Sequence, residues 1–159
     1  MSRRWWPLLL AGVIGLGVAS APLPTTLSAW RPDLALLVVI YVAIHQPRQY
    51  VIAWAVITGV LLDAQHATPL GQYALAHVVA VYLPLRLHQR LILLPVWQST
   101  LSVILFTALA QFVLFWCNGA TGNNVAAAAY IKPMLANAIC WPPLMLALDT
   151  LRLGQPQRT

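Results

Sequence analysis

Charged side chains are too scarce in this sequence to cover a surface that faces water. Only 8% of the 159 residues are charged and 60% are hydrophobic. Soluble domains, by contrast, carry about 25% charged residues. The composition therefore predicts a membrane protein with no soluble domain, and the length predicts a single domain, residues 1–159.

Apolar runs that approach the length of a membrane helix, about 20 residues, recur along the whole chain. We predict an all-α membrane protein with six transmembrane helices. The predicted spans are residues 5–22, 32–46, 50–65, 70–88, 96–117 and 131–151. The second and third spans are short, and a re-entrant hairpin is the alternative for them. That hairpin would bury Arg48 in the bilayer at a cost of at least about 2.5–3.5 kcal/mol, so two short crossings are favoured.

The basic residues predict the orientation of these spans. With six crossings and a cytoplasmic N-terminus, seven basic residues lie in cytoplasmic segments and two lie outside, in agreement with the positive-inside rule. The cytoplasmic set is Arg3, Arg4, Arg48, Arg86, Arg90, Arg152 and Arg158, and the outer set is Arg31 and Lys132. Both chain ends are therefore expected inside. Basic residues scattered in this way do not form the continuous stripe that binds nucleic acid.

The first apolar run has the features of both a membrane helix and a secretory signal. Ala19-Ser20-Ala21 resembles a cleavage site, but Pro22 would follow the cut and disfavours it, so we expect a retained helix. Within it Ala11, Gly15 and Ala19 recur every four residues, and such a stripe lets another helix approach closely. It is a candidate interface with a partner's helix. The alternative is that small residues are simply common in membrane helices.

Sequence motifs of common enzymes are absent. There is no HExxH, no GxSxG and no phosphate-binding loop. We predict no catalytic activity, no cofactor and no metal. The cysteines, Cys117 and Cys140, form no CxxC pattern and are expected to be small apolar side chains within helices.

Two of the three acidic residues have local explanations. Asp33 follows Pro32 directly before an apolar run, which predicts a helix N-cap. Asp149 lies three residues before Arg152, so a local ion pair is expected between them.

Asp63 is different, because an ionisable group far along an apolar helix is a candidate functional residue. His66 follows three residues later on the same helical face. We favour a structural or partner-facing role in which Asp63 closes the turn before the fourth helix. Transport chemistry and catalysis are the alternatives, since an acid and a histidine could form a proton relay or part of a metal site. A small-molecule carrier would need a polar cavity lined by Asp63, His77, Asn137 and Gln72.

The last predicted helix contains Pro133 and the pair Pro142-Pro143. Prolines inside a helix remove backbone hydrogen bonds and predict a kink. Asn137 can donate a hydrogen bond to a neighbouring helix. This helix is therefore a second candidate for contact with a partner's transmembrane helix.

Four short motifs in a fixed order carry a resemblance over nearly the whole chain. They are Arg31-Pro32-Asp33, Gly59 to Asp63 followed by Leu70-Gly71, Trp97-Gln98, and Asn137 followed by Trp141-Pro142. Their joint order and spacing resemble the MreD family of rod shape-determining proteins. The segment Ala64–Thr68 departs from the glycine- and serine-rich character that the family often has there.

The resemblance implies a non-catalytic scaffold in the bacterial inner membrane that maintains rod cell shape. It implies binding to the bitopic protein MreC and a link from cytoplasmic MreB filaments to the peptidoglycan synthases, RodA and the elongation transpeptidase. The implied fold is similar to the substrate-binding subunits of energy-coupling-factor transporters, a likeness that carries no function by itself. A small-molecule membrane carrier, or the substrate-binding subunit of a transporter, remains the alternative.

Overall fold

The structure is a computed structural model in which five α-helices make up most of the described residues. It describes Val13, Gly15, Gly17 and residues 30–46, 50–122 and 125–153, with the backbone alone for 151–153. The helices are α1 (Leu34–His45), α2 (Tyr50–His66), α3 (Gln72–Leu91), α4 (Val96–Ala120) and α5 (Ile131–Leu153), and a short 3₁₀ helix, Ala127–Tyr130, precedes α5. These ranges contain no β-strand, so the predicted all-helical fold is confirmed for them.

The helix boundaries follow the predicted spans closely. Each of α1 to α5 begins and ends within about three residues of a predicted span, as expected for helix ends. Of the first predicted span, 5–22, only Val13, Gly15 and Gly17 are described, and all three are helical. Residues 86–91 of the basic connection extend α3, and a turn then leads to Pro95 at the start of α4.

Two segments are long and apolar enough to cross a membrane, Val96–Ala120 and Ala127–Thr150. Helices α1 and α2 are also apolar, but they have only 12 and 17 residues. Length and composition therefore support two of the six predicted crossings directly.

Helix α1 is the central element of the bundle. All of its residues from Ala35 to Ile44 are buried, which explains why the sequence is apolar on every side of this helix. It packs against α2, α3 and α5, while α2 to α5 pack on one another in chain order. Most of this short helix therefore contacts the neighbouring helices rather than lipid.

Contacts near the two ends of α1 fix the direction of its neighbours. At its start Asp33 bonds His77, early in α3, and Asn137, early in α5. At its end the Tyr41 hydroxyl donates to Asp149, late in α5. Helices α1, α3 and α5 therefore run in one direction, and α2 and α4 run in the other. We refer to the two ends of the bundle as the Asp33 end and the Asp149 end.

Helices α2 and α3 meet at Gly59 with almost no space between their backbones. A Cβ atom on Gly59 would lie 2.3 Å from the Cα of Ala74 and 2.5 Å from its backbone nitrogen. Distances below about 3 Å are far inside van der Waals contact. Glycine is therefore the residue that permits this crossing.

The outer surface of the bundle is largely apolar. Large hydrophobic side chains are exposed along α2, α4 and α5, among them Ile57, Leu61, Leu105, Phe112 and Ile139. Soluble monomers rarely expose continuous apolar surface of this kind, whereas a bilayer solvates it.

Candidate functional site

Asp33 joins the start of α1 to α5. Its Oδ1 accepts a hydrogen bond from the backbone N–H of Leu36 at 2.9 Å, so the side chain caps α1. Its own backbone N–H donates to the Oδ1 of Asn137 at 2.7 Å. The residue therefore satisfies a free donor of its own helix and holds α5 beside it.

His77 extends this contact to two further helices. The ring is completely buried, and its Nε2 lies 2.9 Å from the Oδ2 of Asp33. Its Nδ1 lies 3.1 Å from the hydroxyl oxygen of Thr58 in α2. Asp33, His77, Thr58 and Asn137 thus form one buried polar network that joins α1, α2, α3 and α5, and we call it the Asp33 network.

The Asp33 network accommodates the imidazole ring of His77 in either charge state. In the neutral ring, Nε2–H donates to Asp33, and Nδ1 accepts the hydroxyl proton of Thr58. In the doubly protonated ring, Nδ1–H donates to Thr58. The Thr58 hydroxyl then donates to the carbonyl of Trp54, 2.9 Å away. No hydrogen bond of His77 is lost between the two arrangements.

Asp63 forms a separate polar group at the turn between α2 and α3. Its Oδ1 accepts from the backbone N–H of Tyr73 at 2.9 Å and the hydroxyl of Thr68 at 3.1 Å, and its Oδ2 accepts from the N–H of Gly71 at 2.9 Å. Gly71 has a φ of 101°, a conformation that favours glycine. The carboxylate is fully buried and lies at the N-terminus of α3, where the helix dipole favours a negative charge.

Asp63→Ala should destabilise the protein strongly, because three donors would lose their acceptor in a buried turn. Each unsatisfied donor costs about 1–3 kcal/mol, so we expect a loss of about 2–4 kcal/mol after partial relaxation. Asp63→Asn keeps one oxygen and should lose about half of this. The free energy of unfolding in mixed micelles measures both. A carrier that binds its substrate through Asp63 would give the contrary result, with near-normal stability in the asparagine variant.

His66 does not join Asp63. Its Nδ1 lies 2.9 Å from the carbonyl oxygen of Leu62, and its ring stacks on Tyr73 with centroids 5.1 Å apart. Within the described ranges, no three side chains of His, Cys, Asp or Glu come together as a metal site.

Helix α5 uses one face to bind the rest of the bundle. Asn137 bonds α1, and one turn later the buried indole N–H of Trp141 donates to the hydroxyl of Ser99 in α4 at 3.1 Å. The helix continues through Pro142 and Pro143 to Leu153. Because the prolines lack an N–H, the carbonyls four residues earlier receive no helical hydrogen bond.

The four residues expected to line a carrier cavity do not form one cluster of free polar groups. Asp63 and His77 bond the chain itself. Asn137 Nδ2 and Gln72 Oε1 are buried without a hydrogen-bond partner among the described residues. Only His77 and Asn137 are linked, and the link passes through Asp33.

Gly15 of the predicted small-residue stripe faces its own chain. A Cβ atom there would lie 3.0 Å from the backbone nitrogen of Ala35 in α1. At this position the helix that makes the close approach is thus α1 rather than a partner's helix. Ala11 and Ala19, the other members of the stripe, lie outside the described residues.

Several sequence motif residues lie around the Asp33 end. Arg31 and Pro32 are partly buried beside the cap, and Leu70 is 80% exposed on the α2–α3 turn. Pro142 is partly buried in α5. Trp97 is exposed at the start of α4, near the Asp149 end.

Sequence reasoning missed three of the side chains that hold the helices together: Thr58, Ser99 and Tyr41. Each is a hydroxyl inside an apolar run, and that is the signal that could have identified them. Asp149 accepts from Tyr41, whereas the ion pair predicted with Arg152 involves a side chain outside the described part.

Comparison with known families places these observations in context. The family model of the rod shape-determining protein MreD matches residues 2–151. No solved structure matches the chain, so the predicted similarity to subunits of energy-coupling-factor transporters gains no support. The matched range includes every motif from Arg31 to Pro142 as well as the Asp33 network. The chain therefore belongs to the MreD family of membrane proteins, which act in determining rod cell shape.

Proposed function

We propose that this protein is a non-catalytic scaffold of the rod elongation complex in the bacterial inner membrane. It binds MreC, and directly or through MreC it links MreB filaments to RodA and the elongation transpeptidase. The observation that carries this proposal is the contrast between an interior whose acidic residues bond the chain itself and an outer surface that is largely apolar. Such a protein makes its main contacts within the membrane, helix against helix and with lipid.

The proposed topology has six crossings with both ends in the cytoplasm. The distribution of the basic residues supports it, with seven in the inner segments and two in the outer ones. Arg86 and Arg90 lie late in α3, close to the Asp149 end. The Asp33 end then faces the outside of the cell, and the Asp149 end faces the cytoplasm.

The outer face of α5 is the proposed contact for the transmembrane helix of MreC. Leu135, Ile139 and Leu146 are all exposed on this face. Pro143 has no N–H and so deprives the carbonyl of Ile139 of its helical donor. Within lipid, a freed carbonyl is best satisfied by a neighbouring helix or by water. The outer face of α5 therefore offers a partner helix both an apolar stripe and a hydrogen-bond acceptor, the carbonyl oxygen of Ile139.

Ile139→Trp should lower the amount of MreC that co-purifies with the tagged protein by about tenfold. A bulky side chain at the contact should weaken the binding free energy of the packed helix by about 1.4 kcal/mol. The side chain of Ile139 is 70% exposed, so the fold should tolerate the change. Val56→Trp is the matched control, since Val56 is also exposed but lies on α2. Quantitative mass spectrometry of material purified in mild detergent measures the effect. Undiminished MreC recovery with Ile139→Trp would exclude this face of α5.

The same purification from wild-type cells tests the scaffold itself. MreC and the elongation synthases should be recovered in near-stoichiometric amounts. Recovery of an ATP-binding transport module, or of the protein alone with a bound small molecule, would contradict the scaffold and favour the carrier.

A further inference from the structure

Gln111 lies near the middle of α4, and its side chain has no hydrogen-bond partner in the described part of the chain. Helix α4 spans 25 residues with Ala108 at its centre, so Gln111 is about 5 Å from the middle of the helix at 1.5 Å per residue. Its side chain is partly exposed, and its amide forms no hydrogen bond with the described part of the chain. By contrast, Ser102 and Thr107 on the same helix bond backbone carbonyls.

An amide at this depth cannot be satisfied by the lipid headgroups. The hydrocarbon core of a bilayer is about 30 Å thick, so the nearer headgroup region is about 10 Å away along α4. A glutamine side chain is too short to cover that distance. Because unsatisfied polar groups in hydrocarbon are costly, the position points to a polar group supplied by another transmembrane helix.

We propose that two copies of this chain pair through α4, with reciprocal hydrogen bonds between their Gln111 amides. A primary amide carries both a donor and an acceptor, so two glutamines complement each other. Copies inserted in the same orientation place Gln111 at the same depth, and a two-fold axis along the membrane normal brings the two side chains together. Any other partner would need its own hydrogen-bonding group at that depth.

The surroundings of Gln111 fit close helix contact. Ala108, one turn earlier, is small and partly exposed, which leaves space for a second backbone. Leu105 and Phe112 are exposed on the adjoining surface and supply apolar contact area. The proposal requires that α4 crosses the membrane, and it does not depend on MreC.

The purified full-length chain alone, reconstituted in liposomes, tests this pairing. Energy transfer between donor- and acceptor-labelled copies gives the dimer dissociation constant. Gln111→Leu should raise that constant about tenfold, which is about 1.4 kcal/mol for two interhelical hydrogen bonds. Gln111→Asn keeps the amide and should retain most of the affinity. Since leucine suits a lipid-exposed position, the melting temperature of the Gln111→Leu monomer should not fall.

Cysteine cross-linking locates the contact. In a background with Cys117→Ser and Cys140→Ser, Ala108→Cys should form a disulfide between copies under mild oxidation. Val56→Cys, exposed on α2, should not. A wild-type chain that is monomeric in liposomes would overturn the proposal. Equal affinity for Gln111→Leu and the wild type, or equal cross-linking from both cysteine positions, would overturn it too.

Discussion

Gly59→Ala should prevent stable packing of α2 on α3. The added methyl carbon would lie 2.3 Å from the Cα of Ala74, and backbone atoms cannot rotate away as a flexible side chain can. The two helices must separate by about 1 Å or more to restore contact distances, and overpacking of this kind costs about 3 kcal/mol or more. We expect the variant to unfold at a much lower SDS fraction in mixed micelles and to accumulate poorly in membranes.

Gly119→Ala is the matched control for the Gly59 variant. Gly119 is also helical, but a Cβ atom on it would meet no atom within 4 Å. Alanine is the better helix former by about 0.5–1 kcal/mol, so the control should be unchanged or slightly more stable. Wild-type stability for Gly59→Ala would mean that α2 and α3 lie further apart than the structure indicates.

The helices were the part of the fold that the sequence predicted well. An apolar run bounded by arginines, prolines or turn residues defines a helix locally, which is why the predicted bounds of α1 to α5 lie close to the observed helix ends. The apolar runs do not indicate how the helices pack on one another. The ten apolar residues of α1 give no sign of which neighbour each side contacts, so its central position could not be predicted.

The candidate site shows the same division between local and distant contacts. Pro32-Asp33 before an apolar run was enough to predict a cap, because capping involves residues three positions apart. A turn closed by Asp63 was likewise predictable, since its partners lie within ten residues. The bonds from Asp33 to His77 and Asn137 cross 44 and 104 residues, and no sequence spacing encodes them.

The prediction for the small-residue stripe illustrates a different limit. Ala11, Gly15 and Ala19 indicate that another helix packs closely against this stripe, and at Gly15 the backbone of α1 does so. The pattern describes the space that glycine leaves but not the helix that fills it. A neighbouring helix of the same chain and a partner's helix produce the same spacing in the sequence.

The polar groups at the Asp33 end explain how a 12-residue helix is held inside the bundle. Helix α1 is about 18 Å long, much shorter than the hydrocarbon core of a bilayer. Its first turn therefore lies below the headgroup region if its other end reaches the opposite surface. Asp33, which caps α1 itself, acts with Asn137 and His77 from neighbouring helices to supply the hydrogen bonds that water would supply to an exposed helix end.

Replacing His77 by leucine should also destabilise the protein strongly. The substitution leaves the Oδ2 of Asp33 without its donor and the Thr58 hydroxyl without the Nδ1 contact. Removal of one partner from a buried ionisable pair costs about 3–5 kcal/mol. Because the side chain of Asp33 is 18% exposed rather than fully buried, we expect a loss at the lower end of this range, about 3 kcal/mol.

A double-mutant cycle separates this interaction from the loss of ring volume. Asp33→Asn preserves the cap oxygen for Leu36 and removes the charge that faces the ring. Combined with His77→Leu, it should cost less than the sum of the two single changes by about 1–2 kcal/mol, because the double variant no longer buries an unpaired carboxylate. His77→Gln places an amide donor near the position of Nε2 and should recover part of the stability. SDS titration of the four proteins measures the cycle. Additive losses would mean that His77 stabilises the bundle by packing alone and that its bond to Asp33 contributes nothing.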